Sequence, residues 1–323
     1  MLSKQPVIGI DLGGTKISTA LIDSVGRIMA RDYRETQAAE GQEAVIERML
    51  DSARRVIAQA EVTQAQVAAV GIGAPGPLDI EAGVLVAPPN LPGWDRVPLK
   101  RIIEDALGIT TFLENDANAA ALGEHRFGAG RGRQHMIYVT VSTGIGGGLI
   151  LDGKLYHGAS GMAGEIGHMT IVPYGPLCGC GNRGCLEALA SGTAIARQAR
   201  ERVARGVPTL MADLAAGDPE RITAKLVAEA AHQGDAEARE ILAEAMNYLG
   251  IGMANLVNLF NPELIVIGGG LTNIGELLFG PVRRAIDRRA FRAQAQTVQV
   301  VQAKLGKDVG VLGAAAVALA HKP

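Results

Sequence analysis

The sequence predicts an α/β protein built from two related halves, and three observations carry that expectation. A strand, glycine turn, strand pattern over Ile8–Ile22 recurs over Ile137–Ile150. Strand-like apolar runs alternate with segments of helical period along the whole chain. The 323 residues are also enough to bury a core in each of two domains.

Taken in order, Val7-Ile-Gly-Ile-Asp-Leu12 is an apolar run of strand length, Gly13-Gly14 turns the chain, and Ile17–Ile22 returns. A tight turn at Ser24-Val-Gly26 leads to a third strand near Ile28–Tyr33. Between Glu43 and Ala60, residues Val45, Ile46, Met49, Leu50, Ala53, Val56, Ile57 and Ala60 recur at helical spacing. Val67–Ile72 is a strand that runs into Gly73-Ala-Pro-Gly-Pro77, a loop by composition. Leu99–Leu107 is a short helix, Thr110–Leu113 a strand, and Asp116–Glu124 an alanine-rich helix.

The second half opens with the recurring unit, then passes through a loop-rich cysteine segment and a helical region from Ser191 to the neighbourhood of Gln233. A long helix follows, with Ile241, Ala245, Leu249, Met253 and Leu256 on one face, and Asn261-Pro262 ends it. Leu264–Ile267 is a strand meeting Gly268-Gly-Gly270, Glu276–Arg289 a helix, Val298–Val301 a last strand and Gly310–Ala320 a closing apolar helix.

Composition narrows the function classes. Hydrophobic residues make up 48% and charged residues 20%, a soluble globular balance, and the formal charge of −2 leaves no footprint for nucleic acid or an anionic membrane. Aromatics at 3% argue against a stacking platform for single strands. The lead Met1–Pro6 with the run from Val7 is too brief for a secretory h-region, and no uncharged stretch is long enough to span a bilayer. All three cysteines fall between Cys178 and Cys185. An odd, tightly clustered set points to a metal or catalytic site in a reducing compartment, so the cytoplasm is expected.

Two segments have the chemistry of phosphate turns. In Asp11-Leu-Gly-Gly-Thr-Lys16 a strand delivers an acid to its C-terminal end. Gly13 and Gly14 then let the backbone bend around an anion, Thr15 supplies a hydroxyl donor and Lys16 a charge. Asp11 stands where Mg²⁺, through water, needs a hard oxygen ligand. Ser142-Thr-Gly-Ile-Gly-Gly-Gly148 repeats the logic with Thr143 and Gly144. Either segment alone reads equally as a β-hairpin; both together, in duplicated units, favour a nucleotide. Gly268 and Gly269, after a strand, fit a flat surface for adenine or ribose. There is no Walker A loop around these turns, and neither opens a helix in a dinucleotide-binding frame.

Asn115 and Asp116 follow a strand and begin a helix. They read either as a helix cap or as a general base, Asp116 taking a proton from an attacking hydroxyl. His168 with Cys178-Gly-Cys-Gly-Asn-Arg-Gly-Cys185 supplies three thiols and an imidazole, the ligand set of a tetrahedral structural zinc, with a redox pair as the rival reading. Glu165 and Glu187 flank that set and would be fixed in space by it; otherwise they are solvated surface charges.

Together these residues resemble the ROK family of sugar kinases and repressors, within the actin-like ATPase (ribonuclease H-like) fold. The resemblance covers essentially the whole chain. Its most specific element is Glu165-Ile-Gly-His168 followed by Cys178-x-Cys-Gly-x-x-Gly-Cys-x-Glu187, while Asn90-Leu-Pro-Gly-Trp94 and Glu114-Asn-Asp-Ala-Asn-Ala-Ala120-Ala121 look like the glucokinase branch. It implies ATP-dependent phosphorylation of D-glucose at O6, with Asp116 as catalytic base. It implies sugar contacts from Gly76, Asn90, Asn115, Glu165, His168 and Glu187, with one ring nitrogen of His168 on zinc. Asp11, Gly13, Gly14, Thr15, Lys16, Thr143, Gly144, Gly268 and Gly269 would face the nucleotide. His168, Cys178, Cys180 and Cys185 would hold the zinc.

The family pattern further implies a smaller domain over 1–115, joined by the helix at 305–323, and a larger one over 116–304, with the ligands in a cleft and the chain a homodimer or homotetramer. Alternatives are a ROK kinase for N-acetylglucosamine, N-acetylmannosamine, mannose or fructose, or a sugar-sensing repressor. Against the repressor stand the six residues before Val7, too few for a DNA-reading module, and the absence of basic charge.

Overall fold

A computed structural model describes residues 5–321. Residues 1–4, part of the lead considered above, and residues 322–323, the end of the closing segment, lie outside it. The described elements begin β1 (Val7–Leu12), β2 (Lys16–Ile22), β3 (Ile28–Glu35), α1 (Gln42–Gln59), β4 (Val70–Ala74), β5 (Leu78–Asp79), β6 (Val84–Leu85), α2 (Leu99–Leu107), β7 (Thr111–Asn115) and α3 (Asp116–Phe127). They continue with β8 (Met136–Val141), β9 (Ile145–Leu151), β10 (Lys154–Leu155), α4 (Leu186–Ala190), α5 (Gly192–Ala204), α6 (Leu210–Leu214), α7 (Ala224–His232) and α8 (Ala236–Phe260). The last are β11 (Leu264–Gly268), α9 (Glu276–Arg289), α10 (Arg292–Ala295), β12 (Gln299–Gln302) and α11 (Val309–Ala320).

The chain divides into two compact units: residues up to Arg133 with Gly148–Ala163 and the stretch from Ala303 onward, and residues Gln134–Gly147 with Gly164–Gln302. In the first unit the sheet runs β3-β2-β1-β4-β7, antiparallel across β3, β2 and β1 and parallel from β1 to β7. Its central strands carry apolar side chains on both faces. The first core cluster gathers Ile8, Ile10, Val45, Met49, Ile72 and Ile103; the second gathers Val7, Ile22, Val311, Ala315 and Ala318.

The helix α11 is buried almost all round, from Val311 to Leu319, as an alanine-rich sequence permits. Close approach to the sheet depends on two strand glycines. A Cβ on Gly9 would stand 2.2 Å from the Val311 carbonyl oxygen, and one on Gly71 would stand 1.9 Å from that of Ala314.

The second unit is built on the parallel strands β8, β11 and β12, with Leu264 beside Met136 and Gln299 in register. The helix α8 is its spine. Asp235 caps it by accepting the Ala238 N–H at 2.7 Å, and Asn261 ends it in the left-handed conformation.

The unit boundary differs from the one drawn by family pattern at 115/116. Helix α3 belongs with the first unit because it packs along α11: Gly313 stands where a Cβ would lie 2.5 Å from the Ala119 carbonyl oxygen. Strand β4 also begins later than Val67, since Gln64–Gln66 forms a 3₁₀ turn with a Thr63 capping box, and it continues through Gly73 into the stretch read as loop. Among the described residues no helix is long and apolar enough to cross a membrane.

Candidate functional site

In the first unit the candidate side chains cluster at the C-terminal ends of parallel strands, where ligands of open α/β sheets bind. Asp11, Gly73 and Glu114 stand in one register row across β1, β4 and β7, and the next row pairs Ala74 with Asn115. Burial pushes the Asp11 carboxyl above its ordinary range, and the Lys16 ammonium pulls it back. Its carboxylate lies against Gly310, where a Cβ would come within 2.2 Å of Oδ2.

The turn beyond Asp11 is closed by the Gly13 N–H donating to the Lys16 carbonyl (2.9 Å) and by the Thr36 hydroxyl donating to the Gly13 carbonyl (2.6 Å). Thr15 and Lys16 are exposed at its tip. Gly14 packs on Asn90, whose Cβ and carbonyl oxygen would each lie 2.7 Å from an added Cβ. Asn90 is exposed, but Leu91 and Trp94 of the same segment are 1% and 3% exposed and anchor it in the first core cluster.

The two readings of Asn115 and Asp116 separate here. Asn115 is the cap of α3: its Oδ1 accepts from the N–H groups of Ala117 (2.9 Å) and Asn118 (3.3 Å). That leaves its amide nitrogen for other partners, and Gly76 stands beside it, an added Cβ being 3.6 Å from Nδ2. Asp116 is exposed in the first turn, its Oδ1 accepting the Ala117 N–H at 2.7 Å. The helix therefore has a cap without Asp116.

In the second unit the four potential metal ligands converge. The ligand atoms of His168, Cys178, Cys180 and Cys185 all lie within 4.8 Å of one another. Cys178 Sγ is 3.7 Å from His168 Nδ1, and Cys180 Sγ is 3.8 Å from Cys185 Sγ. A tetrahedral zinc with Zn–S near 2.3 Å and Zn–N near 2.0 Å has ligand–ligand edges of about 3.5–3.8 Å, so the donor set fits that ion. Cys180 and Cys185 stand as free thiols 3.8 Å apart, beyond the about 2.05 Å of a disulfide bond. Burial, with the neighbouring thiols, pushes Cys185 up to about 12. Three thiols this close ionise together only when a cation balances them.

The surrounding backbone is built for the cluster. Isolated bridges pair Thr170 with Cys185 and Leu177 with Arg183, and the Leu186 N–H donates to the Met169 carbonyl at 2.9 Å. The 3₁₀ turn Ile166–His168 comes close to β9 because residue 167 is glycine; a Cβ there would lie 2.0 Å from the Ile145 carbonyl oxygen. His168 Nε2 points away from the thiols and lies 3.9 Å from Glu165 Oε2. Glu187 reaches two ways: Oε1 lies 3.8 Å from Cys178 Sγ, and Oε2 accepts the Ile145 N–H at 2.9 Å.

That second contact joins the Cys/His cluster to the turn at Ser142, Thr143 and Gly144. The Gly192 N–H donates to the Ser142 carbonyl (2.8 Å), and the Thr193 hydroxyl donates to the Thr143 carbonyl (2.9 Å). From this turn opens a cavity of about 690 Å³ walled by Ser142, Thr143, Thr193, Arg200, Lys225, His232, Gly270, Leu271 and Asn273, with Ala196, Ile222, Ala228 and Ile274 as apolar surface. Apolar walls with a few cations and hydroxyls suit a planar heterocycle carrying an anionic tail.

Gly268 and Gly269 do not line this cavity. An added Cβ on Gly268 would meet the Tyr138 hydroxyl at 2.5 Å, and one on Gly269 the Val141 carbonyl oxygen at 2.4 Å. They let β11 turn tightly against β8, and the surface passes to Gly270. The cavity residues Thr193, Arg200, Lys225, His232 and Asn273 were missed from sequence. They sit one or two per element on α5, α7 and the segment after β11, with no shared spacing to signal them.

Residues 7–321 match the ROK family. The chain is 42% identical over 316 residues to the glucokinase of Thermotoga maritima, with 98% of each chain covered. The ROK hexokinase of Thermus thermophilus superposes with a TM-score of 0.82 at 40% identity, covering 97% of both chains. A ROK family glucokinase from Streptomyces griseus, solved with glucose and AMPPNP, superposes with a TM-score of 0.80 at 38% identity, covering 97% of this chain and 99% of that one.

Proposed function

This chain belongs to the ROK family, with its actin-like ATPase fold, and we propose on that basis that it transfers the γ-phosphoryl group of ATP to O6 of D-glucose. The glucokinases it resembles over nearly full length support kinase activity and glucose as substrate. The observation that carries the chemistry is the corner at α3, where Asn115 caps the helix and Asp116 stays exposed.

In the proposed reaction the O6 hydroxyl attacks the γ-phosphorus, the new O6–P bond forms as the bond to the β,γ-bridging oxygen breaks, and ADP leaves. The transition state is loose, so Asp116 mainly orients the hydroxyl and accepts its proton late. In the first unit Gly76, Asn90 and Asn115 hydrogen-bond sugar hydroxyls, and the Gly13–Lys16 turn meets phosphate. In the second unit Glu165, His168 and Glu187 do the former, and Thr143 and Gly144 the latter. Asp11 would hold Mg²⁺ through water. Bound Mg²⁺ neutralises phosphate charge, and bound zinc orders the cysteine segment. The cavity beside Thr193 takes the adenosine. The reading places the enzyme in the cytoplasm as a homodimer or homotetramer.

Two measurements test this. ADP release should be seen with glucose, and kcat/KM for glucose should exceed that for mannose, fructose and N-acetylglucosamine. A site of directional polar groups penalises a misplaced hydroxyl by about 1.5–3 kcal/mol, roughly tenfold to a hundredfold. If N-acetylglucosamine or fructose wins by about tenfold, the chain is a kinase for another sugar. Glucose binding without any ADP release would instead mark a sensor.

The second measurement addresses the cavity. Ala228 is 9% exposed on its wall. Ala228→Trp should fill the space and raise KM for ATP by about tenfold or more, with glucose affinity unchanged by calorimetry. An unaltered KM for ATP in that variant would put the nucleotide elsewhere.

A further inference from the structure

Behind the Asn115 corner lies a buried carboxylate, hydrogen-bonded to a histidine, that the reaction described above does not use. Glu114 is 1% exposed, and both its oxygens are engaged. Its Oε1 accepts from the Asn115 backbone N–H (3.0 Å) and from Asn118 Nδ2 (3.0 Å), while Oε2 lies 2.7 Å from His157 Nε2. His157 follows β10, 43 residues further along the chain, and its side chain is 32% exposed. The hydrogen bond to Glu114 is also the main cause that raises the His157 pKa above its ordinary value, against the opposing effect of burial.

A carboxylate this deep keeps its place only while its charge and lone pairs are matched. Two of its three partners belong to the α3 corner itself: the backbone of the capping residue and a side chain in the first turn. The third, His157, comes from outside and supplies the remaining charge-assisted bond. The position of Glu114 therefore sets the position of the Asn115 N–H and of the first turn that bears Asp116. Loss of the His157 bond removes the hydrogen-bond donor to Oε2, and the buried carboxylate then shifts from the position that fixes the corner.

We propose that His157 is a positioning residue for phosphoryl transfer: through Glu114 it holds the corner from which Asn115 and Asp116 meet the sugar. The proposal rests on the reading of those two residues as sugar-facing. It concerns geometry at the sugar end only, so nucleotide affinity is expected to be independent of it.

The test compares wild type, His157→Phe and His157→Gln in the full-length enzyme. His157→Phe keeps bulk and removes the donor; His157→Gln restores an uncharged N–H donor. Expected for His157→Phe is a fall in kcat/KM for glucose of about tenfold to a hundredfold, as a misplaced reacting group produces. The calorimetric Kd for AMPPNP should stay within about twofold, and His157→Gln should recover most of the loss. Should His157→Phe fail to fold, His157→Asn, whose amide is too short to reach Oε2, replaces it under the same thresholds.

Glucose kinetics unchanged in the donor-less variant would overturn the proposal. So would equal damage to glucose and AMPPNP binding, which marks general destabilisation, or a His157→Gln variant as impaired as His157→Phe. A wild type that neither binds nor phosphorylates glucose overturns the functional reading itself, and so is distinguishable from all three.

Discussion

Asp116→Asn should lower the rate of glucose phosphorylation by about a hundredfold or more while glucose affinity stays within a few-fold. The amide retains the shape of the side chain and an acceptor for the Ala117 N–H, which Asp116 Oδ1 accepts at 2.7 Å. It cannot take a proton. The helix should be undisturbed, because the cap is Asn115, whose Oδ1 accepts from both Ala117 and Asn118.

A companion variant makes the assignment sharp. Asn115→Ala removes the cap and should lower the melting temperature by an amount matching about 0.5–2 kcal/mol. Asp116→Asn should leave the melting temperature close to wild type. If Asp116→Asn turns over glucose at a near-normal rate, Asp116 is a first-turn acid and another group accepts the proton. If it melts early and loses glucose binding, its role is structural.

Removing the metal should have the second large effect. The purified protein should contain about one zinc per chain, and Cys180→Ser should lose it readily. Glucose affinity should fall by about tenfold to a hundredfold in that variant, and re-addition of zinc should not restore it at low micromolar concentration. The reason lies in the segment's construction. Before α4 begins at Leu186, residues 169–185 form no helix or strand; isolated bridges and turn hydrogen bonds shape them, and an ion on the cysteines would tie this loop to His168.

Cys185, pushed up to about 12 by burial and its neighbouring thiols, would keep its proton without the metal, and the cluster would lose the ion that ties His168 to the three cysteines. Glu187 follows directly on this segment and reaches the Ile145 N–H, so metal loss should also raise KM for ATP, though less than for glucose. A metal-free preparation with full activity would remove zinc from the account.

Legibility from sequence divides along physical lines. The strand and turn at Asp11–Lys16 could be read because an apolar run of strand length and two glycines specify a backbone path among neighbours. The convergence of the three thiols could be read for the same reason: Cys178, Cys180 and Cys185 are so near in sequence that few loop conformations keep their sulfurs apart. Where a residue had two local roles, spacing stopped short. Asn115 and Asp116 are equally good caps on paper, and only the hydrogen bonds of the folded helix show that Asn115 takes the role.

The tertiary structure alone decided what depends on distant segments meeting. The cavity draws Thr193, Arg200, Lys225 and Asn273 from separate elements, and no periodicity links residues that share a wall but not a helix. Glu114 and His157 meet in a hydrogen bond only because the segment after β10 packs within the first unit, 43 residues from its partner in sequence. A later return of the chain, α11, holds α3 in that unit, since α11 meets β1 and β4 at Gly9 and Gly71 and presents Gly313 to α3. Local spacing sets the backbone of a turn, a strand or a metal loop; which side chains then share a site is set by how those pieces pack, a property of the assembled core.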